Sequence, residues 1–337
     1  MIKRNLKVLL ASLIFILTIS LSSGEIDASN QLSNADLKDS SVVRYNEYLT
    51  TKVNNVGPKA FVTKTKIKAN ANNVAVTIPK NKVIYIKKKL NDNQYLVTRS
   101  QTKKAKTMKI NYNQNNFYDN STKKLNKTEY DNLISTAKNW GKNLTKAEKS
   151  AIYDYTLDSY YAMNSYLRYP NAHYSDKTKN RVDLVKNSIN TYYLNDPMTV
   201  YRGISSNVLQ SSLMNKYNGS QQTNYNINKL ALGSTYLDNG FSSTSLNKMT
   251  AAQFTDNFML KINLPNGNLG GYISSLSASK TENEFLLNPS NKFIVTNIQK
   301  AKSTITERYT LRQNGRTHVR ENKQDKTYTY ITLNLKA

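Results

Sequence analysis

The alternation of hydrophobic and polar positions predicts a strand-rich segment near the start of the chain. Short β-branched segments occur at 74–78, 83–86 and 95–98, and turn-forming asparagine, aspartate and proline residues separate them. This pattern is typical of a small β-rich domain, for which a compact barrel similar to bacterial SH3-like modules is one candidate. We place this basic module at residues 51–125, and we predict that the asparagine-rich stretch at 111–124 is a linker.

From about residue 130 the spacing of hydrophobic residues becomes helical. Leu133, Ala137 and Trp140 follow one another at intervals of four and three. Thr145 with Glu148 three residues later has the form of a capping box, which predicts the start of a second helix. Another helix is predicted near 182–189. One side of the second helix would carry Ile152, Tyr155, Ser159, Met163 and Tyr166.

The remainder of the chain alternates strands with turns. A strand is predicted at 198–202, and a helical start at 210 leads into a polar loop that ends near 225. These elements indicate the α+β class, with residues 130–337 as the larger domain. Further strands are predicted at 241–245, 258–264, 271–274, 284–287, 293–299, 304–311 and 327–335.

The first 24 residues have the layout of a signal peptide. Their basic start is followed by fourteen mainly apolar residues at 8–21 and then by small residues, and the apolar core is short for a membrane span. We expect cleavage after Gly24, with Ala28 as the second site, and an uncleaved anchor is the alternative. Residues 25–50 are predicted to form a polar lead without firm structure.

Net charge is the outlying property of this 337-residue chain. Lys and Arg number 48 and Asp and Glu 22, which gives a formal charge of +26. Residues 51–130 alone contain 18 Lys or Arg against 3 Asp or Glu. The lysine clusters at 87–89 and 103–104 therefore form either a docking surface for an anionic partner or an ordinary solvated face. No motif for stacking bases occurs, so we do not expect a nucleic-acid partner.

The cysteine and histidine content excludes several kinds of site. The chain has no cysteine, which removes disulfides, thiolate nucleophiles and cysteine-zinc sites. His173 and His318 are its two histidines, and no second set of ligands accompanies them in the sequence. We therefore predict neither a metal site nor a Ser-His-Asp triad.

Two glutamates before an apolar segment are the strongest candidates for chemistry. Glu282 and Glu284 precede Phe285 and the leucines that follow it, which reads as the start of a buried strand. In a strand, residues i and i+2 point to one face about 7 Å apart. Like charges so close together suggest a site that handles a cation, and the alternative is an exposed strand end with two solvated carboxylates.

Three motifs in order resemble those of the bacterial mono-ADP-ribosyltransferase exotoxins. They are Tyr201-Arg202-Gly203, Ser243-Thr244-Ser245 and Glu282-Asn283-Glu284. The set is similar to the arginine-modifying branch, which includes the enzyme components of binary actin-modifying toxins, and Rho-modifying exoenzymes are also similar. Glutamate rather than glutamine at 282 argues against the branch that modifies asparagine.

The resemblance implies a fold, a substrate and a role for each residue. It implies two packed antiparallel or mixed β-sheets with flanking N-terminal helices over residues 130–337, with NAD as substrate and no metal. Glu284 would contact the nicotinamide-ribose 2′-hydroxyl, Glu282 would receive the acceptor guanidinium, and Ser243 would orient Glu284. Arg202 would hold NAD phosphate. The other residues that the resemblance places at the NAD site or in support of it are Tyr155, Asn164, Arg168, Gly203, Thr244, Ser245 and Phe254.

The chain departs from the family pattern at two positions. Phe254 is present in the loop after Ser-Thr-Ser, but Asn257 stands where the family usually has an arginine, so one phosphate contact is in doubt. Ser279 stands where the turn before Glu-x-Glu usually carries an exposed aromatic residue that helps to select the protein target. The target is therefore open, and actin is not assumed.

The resulting hypothesis is a secreted toxin that acts inside the host cell. It would transfer ADP-ribose from NAD to an arginine of a host protein, and its basic module would contact an anionic cell surface or a separate translocation component. An NAD glycohydrolase toxin is the enzymatic alternative. The alternative from another class is a non-catalytic basic binding protein that retains the fold.

Overall fold

The computed structural model describes residues 41–56, 59–214, 230–289, 291–313 and 315–337. The predicted signal peptide, the lead before residue 41 and most of the loop predicted to end near 225 lie outside the described residues. Within the described residues, no helix is both long enough and apolar enough to cross a membrane.

The described elements confirm the predicted α+β class. The helices are α1 (Lys127–Asn143), α2 (Lys146–Asp154), α3 (Tyr160–Arg168), α4 (Asp176–Asn190), α5 (Ser206–Met214) and α6 (Lys248–Gln253). The strands are β1 (Ser41–Asn55), β2 (Ala60–Val62), β3 (Ile67–Ala71), β4 (Val74–Ile78), β5 (Val83–Asn91), β6 (Gln94–Thr98), β7 (Thr107–Asn111), β8 (Met198–Ile204), β9 (Thr235–Leu237), β10 (Ser242–Ser245), β11 (Phe258–Leu264), β12 (Gly270–Tyr272), β13 (Glu284–Leu287), β14 (Lys292–Gln313) and β15 (Arg316–Leu335).

The larger sheet has nine strands and carries the three motifs. Its order is β1-β14-β15-β11-β8-β10-β13-β12, and β9 pairs with β14. β11 runs parallel to β15 and antiparallel to β8, so the sheet is mixed. Its apolar side chains share one hydrophobic cluster with those of α1, α2, α3 and α4. This packing holds β8, β10 and β13 as fixed neighbours.

The predicted capping box at the start of α2 is confirmed. The Thr145 backbone N–H donates to Glu148 Oε2 at 2.7 Å, and the Glu148 N–H donates to Thr145 Oγ1 at 3.2 Å. Asn126 and Glu129 form a second capping box at the start of α1. Each box satisfies backbone donors that the first turn of a helix leaves unpaired, which fixes where the two helices begin.

The smaller sheet contains the basic strands and has the order β2-β5-β6-β7-β3-β4. Its buried residues include Ile67, Ile84, Val97 and Ile110. The segment that follows β7 packs more closely than a free linker would, because Phe117 and Tyr118 are both buried. The domain limits at 51–125 and 130–337 stay a prediction.

The expectation that residues 41–50 lack firm structure is wrong. They form the first two thirds of β1, and farther along this strand the Thr51 hydroxyl lies 2.9 Å from that of Ser303 on β14. The strands predicted at 293–299 and 304–311 are one strand, β14. Ser303 is fully buried, and its hydroxyl lies 2.5 Å from that of Tyr328, so its polar group keeps a hydrogen-bond partner away from water.

Residues 41–48 and 306–323 form a compact unit of their own. Within this unit the rings of Tyr45 and Tyr309 lie 5.0 Å apart, and Arg308 forms an ion pair with Glu321 at 2.8 Å. The candidate site belongs entirely to the other unit, which contains residues 49–305 and 324–337.

Candidate active site

Three adjacent strands bring the sequence motifs together. β10 pairs with β13 so that Ser243 lies opposite Leu286 and Ser245 opposite Glu284, and β10 also pairs with β8 through Ser245 and Tyr201. Arg202, Ser243 and Glu284 therefore lie on neighbouring strands. The convergence of motifs separated by about 40 residues of sequence is a consequence of this strand order.

Glu284 is a buried carboxylate with one strong hydrogen bond. It is 3% exposed, and the Ser243 hydroxyl donates to its Oε1 at 2.5 Å. Its backbone N–H donates to Ser274 Oγ at 2.6 Å. Burial raises the pKa of Glu284 to about 7, and the charge of Glu282 adds to this rise, while the Ser243 hydrogen bond and Arg202 oppose it. Glu284 thus changes its charge state near neutral pH.

Glu282 lies in a turn, and the expected extended geometry is wrong. Residues Lys280–Glu282 form a 3₁₀ turn, and Asn283 adopts a left-handed conformation with φ of 49°. The Ser245 hydroxyl donates to the Glu282 carbonyl at 2.5 Å, which holds the turn against β10. Burial also raises the pKa of Glu282. Both glutamates are held by β10, Glu284 through the Ser243 hydroxyl and Glu282 through the Ser245 hydroxyl.

Asn283 is clamped by two tyrosines, a feature that the sequence analysis missed. Its Oδ1 accepts hydrogen bonds from the hydroxyls of Tyr130 on α1 and Tyr272 on β12, each at 3.0 Å. Its carbonyl accepts from the Leu246 N–H at 3.1 Å. Asparagine tolerates the left-handed region better than most residues, which was the one signal available in the sequence. The clamp fixes the backbone between the two glutamates.

Under the NAD-cleaving activity that the sequence resemblance implies, replacing Asn283 with glycine is expected to lower kcat on the order of tenfold while KM for NAD stays nearly constant. Glycine keeps the left-handed backbone but removes the acceptor of both tyrosine hydroxyls, so the glutamates lose their fixed spacing. Nicotinamide release measured over a range of NAD concentrations checks this. Tyr130→Phe removes one donor and should have a smaller effect, and wild-type kcat in Asn283→Gly would contradict the clamp.

Arg202 lies on β8 with its guanidinium largely enclosed. Nη1 donates to the Ser243 carbonyl at 3.0 Å, and Nη2 lies 3.6 Å from Asp238 Oδ2. Within the described part of the chain, its buried Nε has no hydrogen-bond partner. Arginine has five N–H donors, so protein contacts leave donors for a phosphate group. The role of Arg202 in phosphate binding stays a prediction.

Asp238 is a second residue of the candidate site that the sequence analysis missed. This buried carboxylate accepts two hydrogen bonds from Arg168, at 2.9 Å to Oδ1 and 2.7 Å to Oδ2, and a third from the Gly240 N–H at 2.9 Å. Burial alone would raise the pKa of Asp238, but Arg168 and Arg202 hold it below its usual value. Arg168, which was predicted to line the NAD pocket, thus forms an ion pair with an acidic residue of the protein.

Asn164 and Tyr155 connect the helices to the start of β10. Asn164 Oδ1 accepts from the Phe241 N–H at 2.7 Å, and its Nδ2 donates to the Tyr155 hydroxyl at 3.3 Å. The Tyr155 ring lies 5.5 Å from that of Phe241. A side chain at Gly240 would come within 2.9 Å of Asn164 Oδ1, so any larger residue there would force Asn164 to shift. Asn164 therefore positions the strand that carries Ser243.

Replacing Asp238 with alanine is expected to destabilise the fold by about 3 to 5 kcal/mol, because Arg168 would lose its buried partner. The free energy of unfolding in urea measures this effect. Asp92→Ala is the matched control, since the Asp92 carboxylate is 95% exposed and pairs with Lys89 at the surface. A loss of stability in Asp238→Ala no larger than in the control would contradict the role of Asp238.

Thr244 and Ser245 support the strand pair. The Thr244 hydroxyl donates to the Phe285 carbonyl at 2.5 Å, across the β10–β13 pair. Ser245, besides its bond to Glu282, accepts from the Asn247 N–H at 2.9 Å. Both hydroxyl protons therefore form hydrogen bonds inside the protein.

Gly203 and Phe254 lie at the junction of β8 with α6. A side chain on Gly203 would come within 2.3 Å of the Ala251 carbonyl oxygen, so glycine allows the helix to approach β8. Phe254 ends this helix with a ring that is 61% exposed. Asn257, in the place of the family arginine, donates to Ser206 Oγ at 3.1 Å. In the residues described, no group of three or more metal-ligating side chains occurs.

Comparisons with known proteins identify the family of the chain. The family model for the ADP-ribosyltransferase exoenzyme domain matches residues 127–318. The NAD(+)--arginine ADP-ribosyltransferase EFV of Enterococcus faecalis is 30% identical over 191 residues, a match that covers 52% of this chain and 35% of that protein. The chain thus spans about a third of the length of that curated relative.

Solved structures of toxins are also similar. Plx2a, an ADP-ribosyltransferase toxin from Paenibacillus larvae, is 20% identical with a TM-score of 0.44, and the match covers 62% of this chain and 96% of that one. C3stau2 from S. aureus, solved with NAD, is 22% identical with a TM-score of 0.42, over 65% of this chain and 99% of that one.

Proposed function

The chain belongs to the ADP-ribosyltransferase exoenzyme family, and on this premise we propose that it transfers ADP-ribose from NAD to an arginine of a host protein. NAD is the substrate of this family, and nicotinamide is the product released. The observation that carries the proposal is the buried Glu284, held by Ser243, with the carboxylate of Glu282 in the same site. The Glu-x-Glu sequence, which resembles that of the arginine-modifying branch, and the 30% identical arginine ADP-ribosyltransferase support arginine as the acceptor.

The first step breaks the bond between nicotinamide and the ribose C1′. Nicotinamide leaves as a neutral base with the bonding electron pair, and the ribose becomes an oxocarbenium-like cation. An ionised Glu284 would hydrogen-bond the 2′-hydroxyl and stabilise this positive charge, an interaction that burial from water strengthens. The positive nicotinamide riboside would in turn favour loss of the proton from Glu284, whose pKa lies near 7.

The second step joins C1′ to a guanidinium nitrogen of the acceptor. An arginine side chain is protonated at neutral pH and becomes a nucleophile only as it loses a proton. Glu282 would hold the guanidinium through charge-assisted hydrogen bonds and accept that proton. The raised pKa of Glu282 suits a group that takes up a proton at this stage.

Incubation of the purified protein with NAD and agmatine tests the proposal. Agmatine carries a free guanidinium group, so transfer yields ADP-ribosyl-agmatine together with nicotinamide. Nicotinamide without the adduct would indicate an NAD glycohydrolase instead. The absence of nicotinamide release would favour a non-catalytic binding protein on the same fold.

We further propose the arrangement of the whole chain. A signal peptide at 1–24 would direct secretion, a polar lead would follow as far as the start of β1 at residue 41, and the catalytic domain at 130–337 would act inside the host cell. The basic module at 51–125 would contact an anionic cell surface or a separate translocation component. In support, all of its lysines at 87–89 and 103–104 are exposed. Binding of the protein to vesicles with and without anionic lipid tests this contact.

A further inference from the structure

A stripe of exposed apolar side chains runs along the helices next to the candidate site. Tyr153, Leu157, Tyr160 and Tyr161 are between 46% and 75% exposed, and we call them the tyrosine stripe. Their exposure places them on the outward side of α2, α3 and the residues between, and spacings of four and three make the first three of them neighbours on successive turns. Exposed clusters of apolar side chains often mark the surfaces where proteins bind, and tyrosine is enriched at such surfaces.

The stripe includes a break in the regular helix. Residues Tyr155–Ser159 form a π-helical turn between α2 and α3, so one extra residue is accommodated there. Turns of this kind are rare and occur frequently at functional sites. Leu157 belongs to this turn, and the exposed Asp158 beside it adds a negative charge to a chain that is otherwise strongly basic.

A hydrogen bond joins the π-helical turn to the acceptor side of the site. The Ala278 N–H donates to Thr156 Oγ1 at 3.0 Å, and this hydroxyl donates to the Tyr153 carbonyl at 2.8 Å. The carbonyl of Ser279, next to Ala278, accepts a hydrogen bond from the Glu282 N–H at 3.2 Å. The stripe is therefore connected to the turn that carries Glu282, the carboxylate proposed to bind the acceptor arginine.

The stripe also borders the NAD side of the site. The Tyr160 ring lies 6.5 Å from the ring of the buried Tyr155, and the Tyr155 hydroxyl accepts a hydrogen bond from Asn164, which holds the start of β10. An acceptor bound over the stripe would thus lie beside the turn that carries Glu282 and near the strand that carries Ser243. The turn from 275 to 281 contains no aromatic residue of its own.

We propose that the tyrosine stripe is the docking surface for the acceptor protein and replaces the aromatic residue missing at Ser279. The partner surface would be apolar around a basic target arginine, because apolar side chains cover the stripe while Asp158 and Glu282 attract positive charge. The inference rests on the proposed transfer to arginine.

Two synthetic peptides with one central arginine and equal net charge test this surface. One has leucines three and four residues away on both sides, and the other has serines there. Wild-type protein should show kcat/KM about tenfold higher for the leucine peptide, from the burial of apolar side chains on the stripe. The double variant Leu157→Ser/Tyr161→Ser should reduce this ratio below about twofold and leave the agmatine rate unchanged.

The control is Val74→Ser/Leu90→Ser, which removes exposed apolar side chains from the smaller sheet and should keep the wild-type ratio. Equal kcat/KM for the two peptides in the wild type, or an unchanged ratio in the stripe variant, overturns the docking surface while agmatine transfer persists. A wild-type protein that fails to modify agmatine instead overturns the proposed function.

Discussion

Replacing Glu284 with glutamine is expected to lower both transfer to agmatine and NAD hydrolysis by about 10³-fold or more. Both reactions pass through cleavage of the nicotinamide bond, and the amide carries no negative charge to stabilise the cation that forms. The Ser243 hydroxyl can still donate to the amide oxygen, so the shape of the site is kept. Nicotinamide release with and without agmatine measures both losses.

The same variant should be more stable than the wild type at alkaline pH. Burial raises the pKa of Glu284 from 4.5 to about 7 in the folded protein, so ionisation destabilises the fold progressively as pH rises through that window. Glutamine cannot ionise, and its advantage in the free energy of unfolding should grow by about 2 to 3 kcal/mol between pH 5 and pH 8.

Two outcomes would count against this account of Glu284. One is a pH-independent stability difference between Glu284→Gln and the wild type, and the other is retention of hydrolysis by the variant. Asp131→Asn is the control, because it makes the same carboxyl-to-amide change at a side chain of α1 that is 56% exposed. This control should leave both activities and the pH dependence of stability unchanged.

Replacing Glu282 with glutamine is expected to separate the two reactions. Transfer to agmatine should fall by about 10² to 10⁴-fold, because the guanidinium loses the group that binds it and accepts its proton. Hydrolysis should stay within a few-fold of the wild type, since cleavage of the nicotinamide bond relies on Glu284. The ratio of ADP-ribosyl-agmatine to nicotinamide in one reaction mixture measures the separation.

Lys280→Gln is the matched control for Glu282→Gln. It changes the charge of an exposed side chain in the same 3₁₀ turn and leaves the carboxylate in place. The control should keep the wild-type ratio of adduct to nicotinamide. If Glu282→Gln lowers transfer and hydrolysis by the same factor, the two glutamates do not have separate tasks.

The sequence predicted the elements whose hydrophobic pattern is strong and local. The buried strand β11 and the capping box of α2 fall into this class, since their residues determine their conformation largely by themselves. β3 was not predicted. Its buried positions do alternate with exposed ones, but two of the three inward-facing residues are alanines, whose small side chains give only a weak hydrophobic pattern. The π-helical turn was also not predicted, because the hydrophobic period of 3.6 residues that identifies an α-helix does not reveal one inserted residue.

Residues of the candidate site could be predicted only where they belong to a sequence motif. The three motifs located Arg202, Ser243 and Glu284, but they did not indicate Asp238, whose importance arises from Arg168, 70 residues earlier in the sequence. The path of the chain between Glu282 and Glu284 was also missed. Its left-handed residue depends on tyrosines from α1 and β12, and such contacts exist only once the chain has folded.

The parallel pairing of β15 with β11 limits how far the protein can be truncated at its C-terminal end. The family match ends at residue 318, but Ile331 and Leu333 are fully buried farther along β15, where residues 329–334 pair with 258–263. A fragment cut at 318 would leave β11 as an unprotected sheet edge with apolar side chains in water. Such an edge recruits other chains and favours aggregation, so the boundary of a soluble catalytic fragment lies beyond β15.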